Sequence, residues 1–371
     1  MIKTIDKNLQ TNYIPFLNYI PQSLVIENKI PYFLEFEYKT EEKIELQDKV
    51  ISDTFKERVD PYAGHATLIS KRRSLRPQPD LEKGEYEKSQ SCLFDDLEKV
   101  AHPYREFSEI KTLIAPNPFA FNPGFHDIVF TKEHIEMIEE IEERHIYGIL
   151  YTLRMRALEI KKNKGIDQLD MGMNFGTSKL KYSSGASQPH LHAQIGAVYK
   201  NGFMPTSDRI SYINKKFLEI GVDYEELYIE ASEKSDLFIL KNDDFILFAP
   251  FSPRFKDEIH IISKNRNIPN ITVLNDSQLK NLAQILFQAI KGLRELKFEN
   301  EKGILTDAGI SSFNIEFLGL RFEEESGRML IQIIPRESEI AYSELLERFI
   351  IDRTPEITSK YLRSIIQIWI N

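Results

Sequence analysis

The stretch Gly185-Ala186-Ser187-Gln188-Pro189-His190-Leu191-His192-Ala193-Gln194-Ile195 decides how this chain is read. In a β-strand, residues two apart share a face, so His190, His192 and Gln194 are expected to point at one place. Leu191, Ala193 and Ile195 then fill the opposite, apolar face. One imidazole beside a phosphoryl centre can attack phosphorus and hold a covalent intermediate. An amide nearby can donate to a non-bridging oxygen. A second imidazole can bind a metal or fix neighbouring backbone. The small residues Gly185, Ala186 and Ser187 let backbone N–H groups approach a phosphate closely. On these residues alone, a metal-only pair and two histidines satisfied in a polar core stay open as alternatives.

Around this strand the chain repeats one grammar. Ala66–Ser70, Leu113–Ala115 and Asp127–Phe130 read as strands, and Thr131 is expected to cap a long helix with Ile135, Ile138, Ile146, Ile149, Leu150 and Leu153 on its apolar stripe. Met171–Phe175 and Leu191–Tyr199 follow as strands, with the Ser/Gly-rich loop 176–187 between them. Ser207–Glu219 and Tyr224–Glu233 read as helices. The second pass has strands at Leu237–Leu240, Phe245–Ala249 and Glu258–Ile262, then an amphipathic helix capped by Asp276, then strands at Ser312–Leu320 and Met329–Ile334. The C-terminal part, about 342–370, reads as helical. The order of elements predicts an α+β duplication with antiparallel sheets. Residues 1–57 read as an irregular N-terminal arm, 58–235 as the first repeat and 236–371 as the second, with its C-terminal helices.

Composition narrows the function classes. The chain has 371 residues, 57 acidic against 48 basic, and a formal net charge of −9. That balance argues against nucleic acid as a partner, since such binding rests on Lys and Arg contacts to phosphates. The densest basic cluster, Lys71-Arg72-Arg73 with Arg76, is suited to a small phosphorylated ligand. No apolar run approaches the ~20 residues of a membrane helix, and the N-terminus lacks a signal-peptide pattern, so a cytoplasmic protein without a membrane role is expected. The single cysteine, Cys92, excludes an intramolecular disulfide and any CxxC zinc site.

The motif Gly185-Ala-Ser187-Gln-Pro-His190-Leu-His192-Ala-Gln194 resembles the active-site strand of the galactose-1-phosphate uridylyltransferase branch of the histidine-triad superfamily, G-x-S-x-P-H-x-H-x-Q. The resemblance extends in order through Asp60-Pro61, Arg73-Ser-Leu-Arg76-Pro77, Asn117-Pro-Phe119-Ala120, Gly124-Phe-His126 running to Glu133-His134, Asn174-Phe-Gly176, and Ala249-Pro-Phe251 to Lys264. It covers about residues 58–365 and implies a duplicated half-barrel of antiparallel sheet with packed helices.

What the resemblance implies for chemistry is specific. His192 is the expected nucleophile on the α-phosphorus of a nucleoside diphosphate compound, and Gln194 its partner on the transferring phosphoryl group. Ser187 and Gly185 are expected at phosphate oxygens, Arg73 and Arg76 as counter-charges, and Asn117 and Asn174 along the nucleotide site. The implied substrates are a nucleoside diphosphate sugar and a sugar 1-phosphate or phosphate, with no organic cofactor, in a homodimer. A non-catalytic nucleotide-binding scaffold is the competing class.

Three departures qualify the resemblance. Members often hold a structural zinc with a CxxC pair, and here Cys92-Leu-Phe-Asp95 stands where C-x-F-C is expected. A zinc site of Cys92, Asp95, His134 and His190 is chemically sound, since zinc accepts S, O and N ligands; the same residues can instead pack without metal. Where members can carry a second H-x-H, the chain has Leu330-Ile-Gln332. Glu344 resembles a hexose-contacting glutamate, but the glutamine expected after it is Ile350, so the sugar and the choice between a uridylyl and an adenylyl donor stay open.

Overall fold

The computed structural model describes residues 34–39, 44–46, 49–51, 54–60, 65–69, 92–176, 184–200, 202, 204–219, 223–250, 253–299, 305–308, 310–324, 326–336 and 355–370. Near the N-terminus lie strands β1 (Leu34–Lys39), β2 (Ile44–Leu46), β3 (Lys49–Ile51), β4 (Thr54–Asp60) and β5 (His65–Ile69). β1, β4 and β5 form one antiparallel sheet, and β2 and β3 a hairpin. Within residues 34–57 these strands correct the expectation of an irregular arm; residues 1–33 lie outside the described residues. Leu34-Glu-Phe36-Glu-Tyr38-Lys alternates apolar with charged residues, the period of a strand with one dry face.

The body is built on one sheet. Its strands are β6 (Arg105–Phe107), β7 (Thr112–Pro116), β8 (His126–Thr131), β9 (Ile166–Phe175), β10 (His192–Tyr199), β11 (Phe238–Lys241), β12 (Phe245–Phe248) and β13 (Ile259–Ser263). Short β14 (Asn267–Ile268), β15 (Lys297–Glu299) and β16 (Leu305–Asp307) precede β17 (Phe313–Leu318), β18 (Gly327–Arg328) and β19 (Leu330–Pro335). The large sheet has ten strands in the order β6-β7-β8-β10-β9-β17-β19-β13-β12-β11. Read from its middle, the order is the same in both directions: the strand after each half's helix is innermost, and the hairpin before it is outermost. All nine neighbouring pairs are antiparallel. The halves meet at β9 and β17, where Asn174 lies opposite Asn314 and Gly172 opposite Glu316. The duplication expected from element order is therefore one continuous antiparallel sheet.

Helices cover one face of it. α1 (Glu143–Ile160) buries Ile146, Ile149, Leu150, Leu153, Ala157 and Ile160, the three-and-four spacing of an amphipathic helix. The helix expected to begin at Thr131 begins twelve residues later, because Glu136 and Met137 lead into a short 3-10 turn at Ile138–Glu140, where the Glu140 carboxylate accepts from the Glu136 and Met137 N–H groups. α2 (Pro205–Glu219) and α3 (Tyr224–Glu233) follow β10. α4 (Asp276–Arg294) is the second half's counterpart of α1. Its cap is Asn275 rather than Asp276: the Asn275 side chain accepts from Gln278 N–H at 2.9 Å and the Gln278 side chain accepts from Asn275 N–H at 3.0 Å. α5 (Pro355–Ile370) packs on α4 and β11.

Strand alternation sends Ala193, Ile195, Met171, Met173, Ile315, Phe317, Ile331 and Ile333 to the helix side, in one core with α1 and α4. Each such burial is worth roughly 1.5–3 kcal/mol for the larger side chains. Residues of the opposite parity, His192, Gln194, Asn174, Asn314, Glu316 and Gln332, fall on the other face, from which the site is built.

Candidate active site

The register of β10 places His192 opposite Phe130 and Gln194 between Ile128 and Gly172. One residue from the Ala193–Met173 pair, Asn174 comes beside His192. A cavity of about 250 Å³ opens over this row, with Val100, Ala115, Phe119, Ile128 and Phe130 as its apolar wall and Asn117, Ser187, His192 and Gln194 as polar lining. A cavity with an apolar wall and a polar lining suits a heteroaromatic base joined to a phosphate.

A backbone group fixes the tautomer of the His192 ring. Its Nδ1 lies 2.7 Å from the carbonyl oxygen of His190, which can only accept, so Nδ1 carries the hydrogen. In the neutral ring Nε2 then holds the lone pair. Phe94 presses edge-on against the His192 ring, centroids 5.4 Å apart, and stacks on Phe130 at 4.5 Å. The ring is thus held in one orientation by a hydrogen bond and an aromatic contact.

The row expected to converge divides. His190 precedes β10, and its buried ring turns out of the cavity into a second cluster. Its Nε2 donates to the Thr131 carbonyl at 2.8 Å, leaving the Nδ1 lone pair 3.6 Å from Cys92 Sγ and 3.5 Å from an Asp95 oxygen. His134 Nδ1 lies 2.9 Å from Asp95, and one donor atom from each of Cys92, Asp95, His134 and His190 falls within 4.8 Å of the others. Burial, above all, pulls His190 down to about 4, so it stays neutral and able to ligate at neutral pH. Burial pushes the Cys92 thiol up to about 11, with Asp95 and Glu136 adding to it against the backbone N–H groups of Phe94 and Asp95. Without a cation that sulfur is a thiol; a bound metal would displace its proton. One sulfur, one carboxylate oxygen and two imidazole nitrogens fit a four-coordinate zinc. The cluster is the one the resemblance implied, and the fold assembles it across 98 residues between Cys92 and His190.

The loop before β10 is tied to that cluster and to the second half. Gln188 Oε1 accepts from Leu93 N–H at 3.3 Å. Ser184 Oγ donates to the Gly176 carbonyl at 2.8 Å, and Asn314 Nδ2 donates to the Ser184 carbonyl at 2.9 Å. Gly185 has φ +83° and empty space where a Cβ would stand, so a side chain is barred there by backbone conformation rather than by crowding. Asn117 Oδ1 accepts from Phe119 N–H at 2.9 Å, and Asn174 Oδ1 accepts from Asn314 Nδ2 at 2.5 Å. The structure thus brings together His192, Gln194, Asn117 and Ser187 around the cavity, with Asn174 beside His192 and Gly185 in the adjoining loop. Arg73, Arg76 and Glu344 lie outside the described residues.

Three residues of the site carry no earlier assignment. Phe94 wedges between the two clusters, edge-on to His190 as well, at 5.6 Å. His126 is buried with its Nε2 at 2.9 Å from Gln194 Oε1. Asn314 reaches the site from the other half. Phe94 and His126 sit inside motif segments, but only their contacts reveal a role; Asn314 has no sequence signal.

No protein-family model and no curated protein sequence matches the chain. Solved structures do. A uridylyltransferase superposes with a TM-score of 0.64 at 17% identity, covering 85% of this chain and 99% of its own. An ADP-glucose phosphorylase from Arabidopsis thaliana, solved with bound ADP-glucose, gives 0.60 at 20% identity, covering 83% and 98%. A GalT-like protein from Arabidopsis thaliana gives 0.55 at 21%, covering 68% and 83%. The fold is the duplicated histidine-triad-like α+β fold of these proteins. Within that class the structures it resembles are a uridylyltransferase and a nucleotide-sugar phosphorylase. Among the described residues no helix is long and apolar enough to cross a membrane.

Proposed function

We propose that the chain is a nucleotidyltransferase that carries a nucleotidyl group on Nε2 of His192. The observation that carries this reading is the Nδ1–H bond to the His190 carbonyl, which puts the lone pair of the neutral ring on Nε2 in a side chain that lines the cavity. The Nε2 lone pair attacks the α-phosphorus of a nucleoside diphosphate sugar. A P–N bond forms, and the bond from that phosphorus to the bridging oxygen breaks, releasing sugar 1-phosphate. In the second half-reaction a phosphate oxygen of the acceptor attacks the same phosphorus and the P–N bond breaks, restoring His192. Gln194 donates to a non-bridging oxygen as its charge builds. Ser187 and the backbone of the loop at Gly185 hold the phosphates, with Arg73 and Arg76 as counter-charges. Asn117 and Asn174 hold the nucleotide, and Glu344 faces the sugar.

Zinc on Cys92, Asp95, His134 and His190 would supply no step; it would pin the loop of His190 to the Cys92–Asp95 segment. The protein works as a cytoplasmic homodimer in this reading. The transferred group is UMP or AMP, and the acceptor is a sugar 1-phosphate or inorganic phosphate; the superposition on an ADP-glucose phosphorylase supports testing phosphate on equal terms. The test is intact-mass measurement after mixing with UDP-glucose or ADP-glucose, followed by addition of sugar 1-phosphate or phosphate. A covalent nucleotide adduct is expected, absent in His192→Asn and discharged by one acceptor class. Absence of an adduct from both donors overturns the reading.

A further inference from the structure

The amides of the site share an orientation, and in each case it traces to a backbone group that cannot change its role. Phe121 N–H donates to His126 Nδ1 at 3.1 Å, so that nitrogen carries no hydrogen. The hydrogen of the neutral ring is therefore on Nε2, which donates to Gln194 Oε1 at 2.9 Å. With its oxygen engaged, Gln194 turns its NH₂ to the cavity it lines. On the other side of His192, the Ser184 carbonyl can only accept, which fixes the Asn314 NH₂ toward it. The same NH₂ then meets Asn174 Oδ1, leaving the Asn174 NH₂ as the outward group. Asn117 follows suit directly: Phe119 N–H engages its oxygen. Its NH₂, 3.4 Å from the protonated Nε2 of His126, finds no acceptor there and is left to the cavity.

We infer that His126 and Asn314 are positioning residues. They relay the fixed polarity of a backbone N–H and a backbone C=O to Gln194 and Asn174, so that the site meets its ligand with NH₂ donors. A phosphodiester is the matching ligand class, because its non-bridging oxygens only accept. The inference rests on the nucleotidyl-transfer reading for its ligand, but the relay itself is a property of the free protein. A freely rotating amide would present its oxygen to an anion part of the time; these relays remove that state before the ligand arrives, which is preorganisation of the transition-state donors.

Two measurements test it. Long-range ¹⁵N–¹H correlation on the wild-type protein is expected to show His126 as the Nε2–H tautomer; an Nδ1–H tautomer overturns the relay without any variant having to fold. His126→Asn keeps an acceptor near the Phe121 N–H and removes the donor to Gln194, whereas His126→Gln restores an NH₂ near the Nε2 position. Adduct formation is expected to slow roughly 10–100-fold in His126→Asn, the range for losing an orienting partner, with nucleotide affinity held within about threefold, and to recover in His126→Gln. Asn314→Asp, which puts an acceptor where Ser184 and Asn174 need a donor, is expected to slow the same step. Adduct rates equal to wild type in His126→Asn and Asn314→Asp overturn the inference. If the wild type forms no adduct, the functional reading fails while the tautomer still decides the relay.

Discussion

The two halves of the sheet have the same strand order and treat their polar side chains in opposite ways. In the first half backbone groups orient the polar side chains that line the cavity: His192 by the His190 carbonyl, Asn117 by Phe119 N–H, and Gln194 through His126. In the second half they satisfy one another. Arg254 donates to Gln332 Oε1 at 2.6 Å and reaches Glu316 at 3.4 Å, and Glu258 accepts from the buried His260 at 2.8 Å. Gln332, on the strand equivalent to that of His192, is thus consumed by a neighbour. The same strand order thus carries a polar-lined cavity in one half and side-chain-to-side-chain pairing in the other.

The sharpest way to break this comparison is to remove the same kind of group from each half. His192→Asn is expected to lower turnover by at least about 10³-fold, the scale for losing a nucleophile, while Gln332→Ala stays within about twofold; steady-state kinetics on both decides. A comparable loss from Gln332→Ala would mean that Gln332 takes part in the reaction. Next in size is the metal cluster. Cys92→Ala is expected to lose zinc, measured by elemental analysis, and to lower the melting temperature by at least about 5 °C, as loss of a structural metal costs folding free energy. Glu258→Gln in the other half is expected to leave metal content unchanged.

Glycines give a smaller contrast. A Cβ on Gly196 would stand 2.0 Å from Asn122 Nδ2, forcing that side chain off the half-buried Asp170, which it bonds at 3.0 Å. Gly196→Ala is expected to cost about 1–3 kcal/mol in denaturant unfolding, the range for overpacking. In α4, Gly292→Ala meets the side-chain tips of Leu362 at 3.2 Å and Ile366 at 3.4 Å, and helix propensity favours alanine by up to about 1 kcal/mol. Its expected effect is close to zero.

The smallest effect is electrostatic and lies in the second half. Burial pushes the Glu258 carboxyl up, but the His260 hydrogen bond, the His260 and Arg254 charges and the Phe255 N–H outweigh it and hold it below its ordinary value. The unfolded chain therefore takes up a proton first as pH falls. The stability Glu258 contributes is present above the ordinary glutamate range and is lost as pH drops below it. Glu258→Gln is expected to flatten that acid limb of the unfolding curve; an unchanged limb would assign it to other carboxylates.

Much of the site was legible in the chain itself. The spacing of His192 and Gln194 requires that a strand present them together, and the apolar alternation of Leu191, Ala193 and Ile195 required their burial, which all three show. Local signals also mark α4, though its cap falls on Asn275, because the reciprocal bond with Gln278 outcompetes an Asp one residue later. His190 was misplaced by the same period-two logic, since it lies just before the strand, where the chain has already turned toward Cys92.

The sequence by itself determined the strand imidazole of His192, the amide two residues on, the repeated order of elements and the residue types of the Cys/Asp/His cluster. Periodicity and short spacing act over a few residues, and these features live at that range. Only the tertiary structure decided that both halves share one sheet through β9 and β17, and that His126 and Asn314 reach Gln194 and Asn174. Both depend on register between strands distant in the chain, and a slip of one residue would turn those four side chains to the helix-covered face.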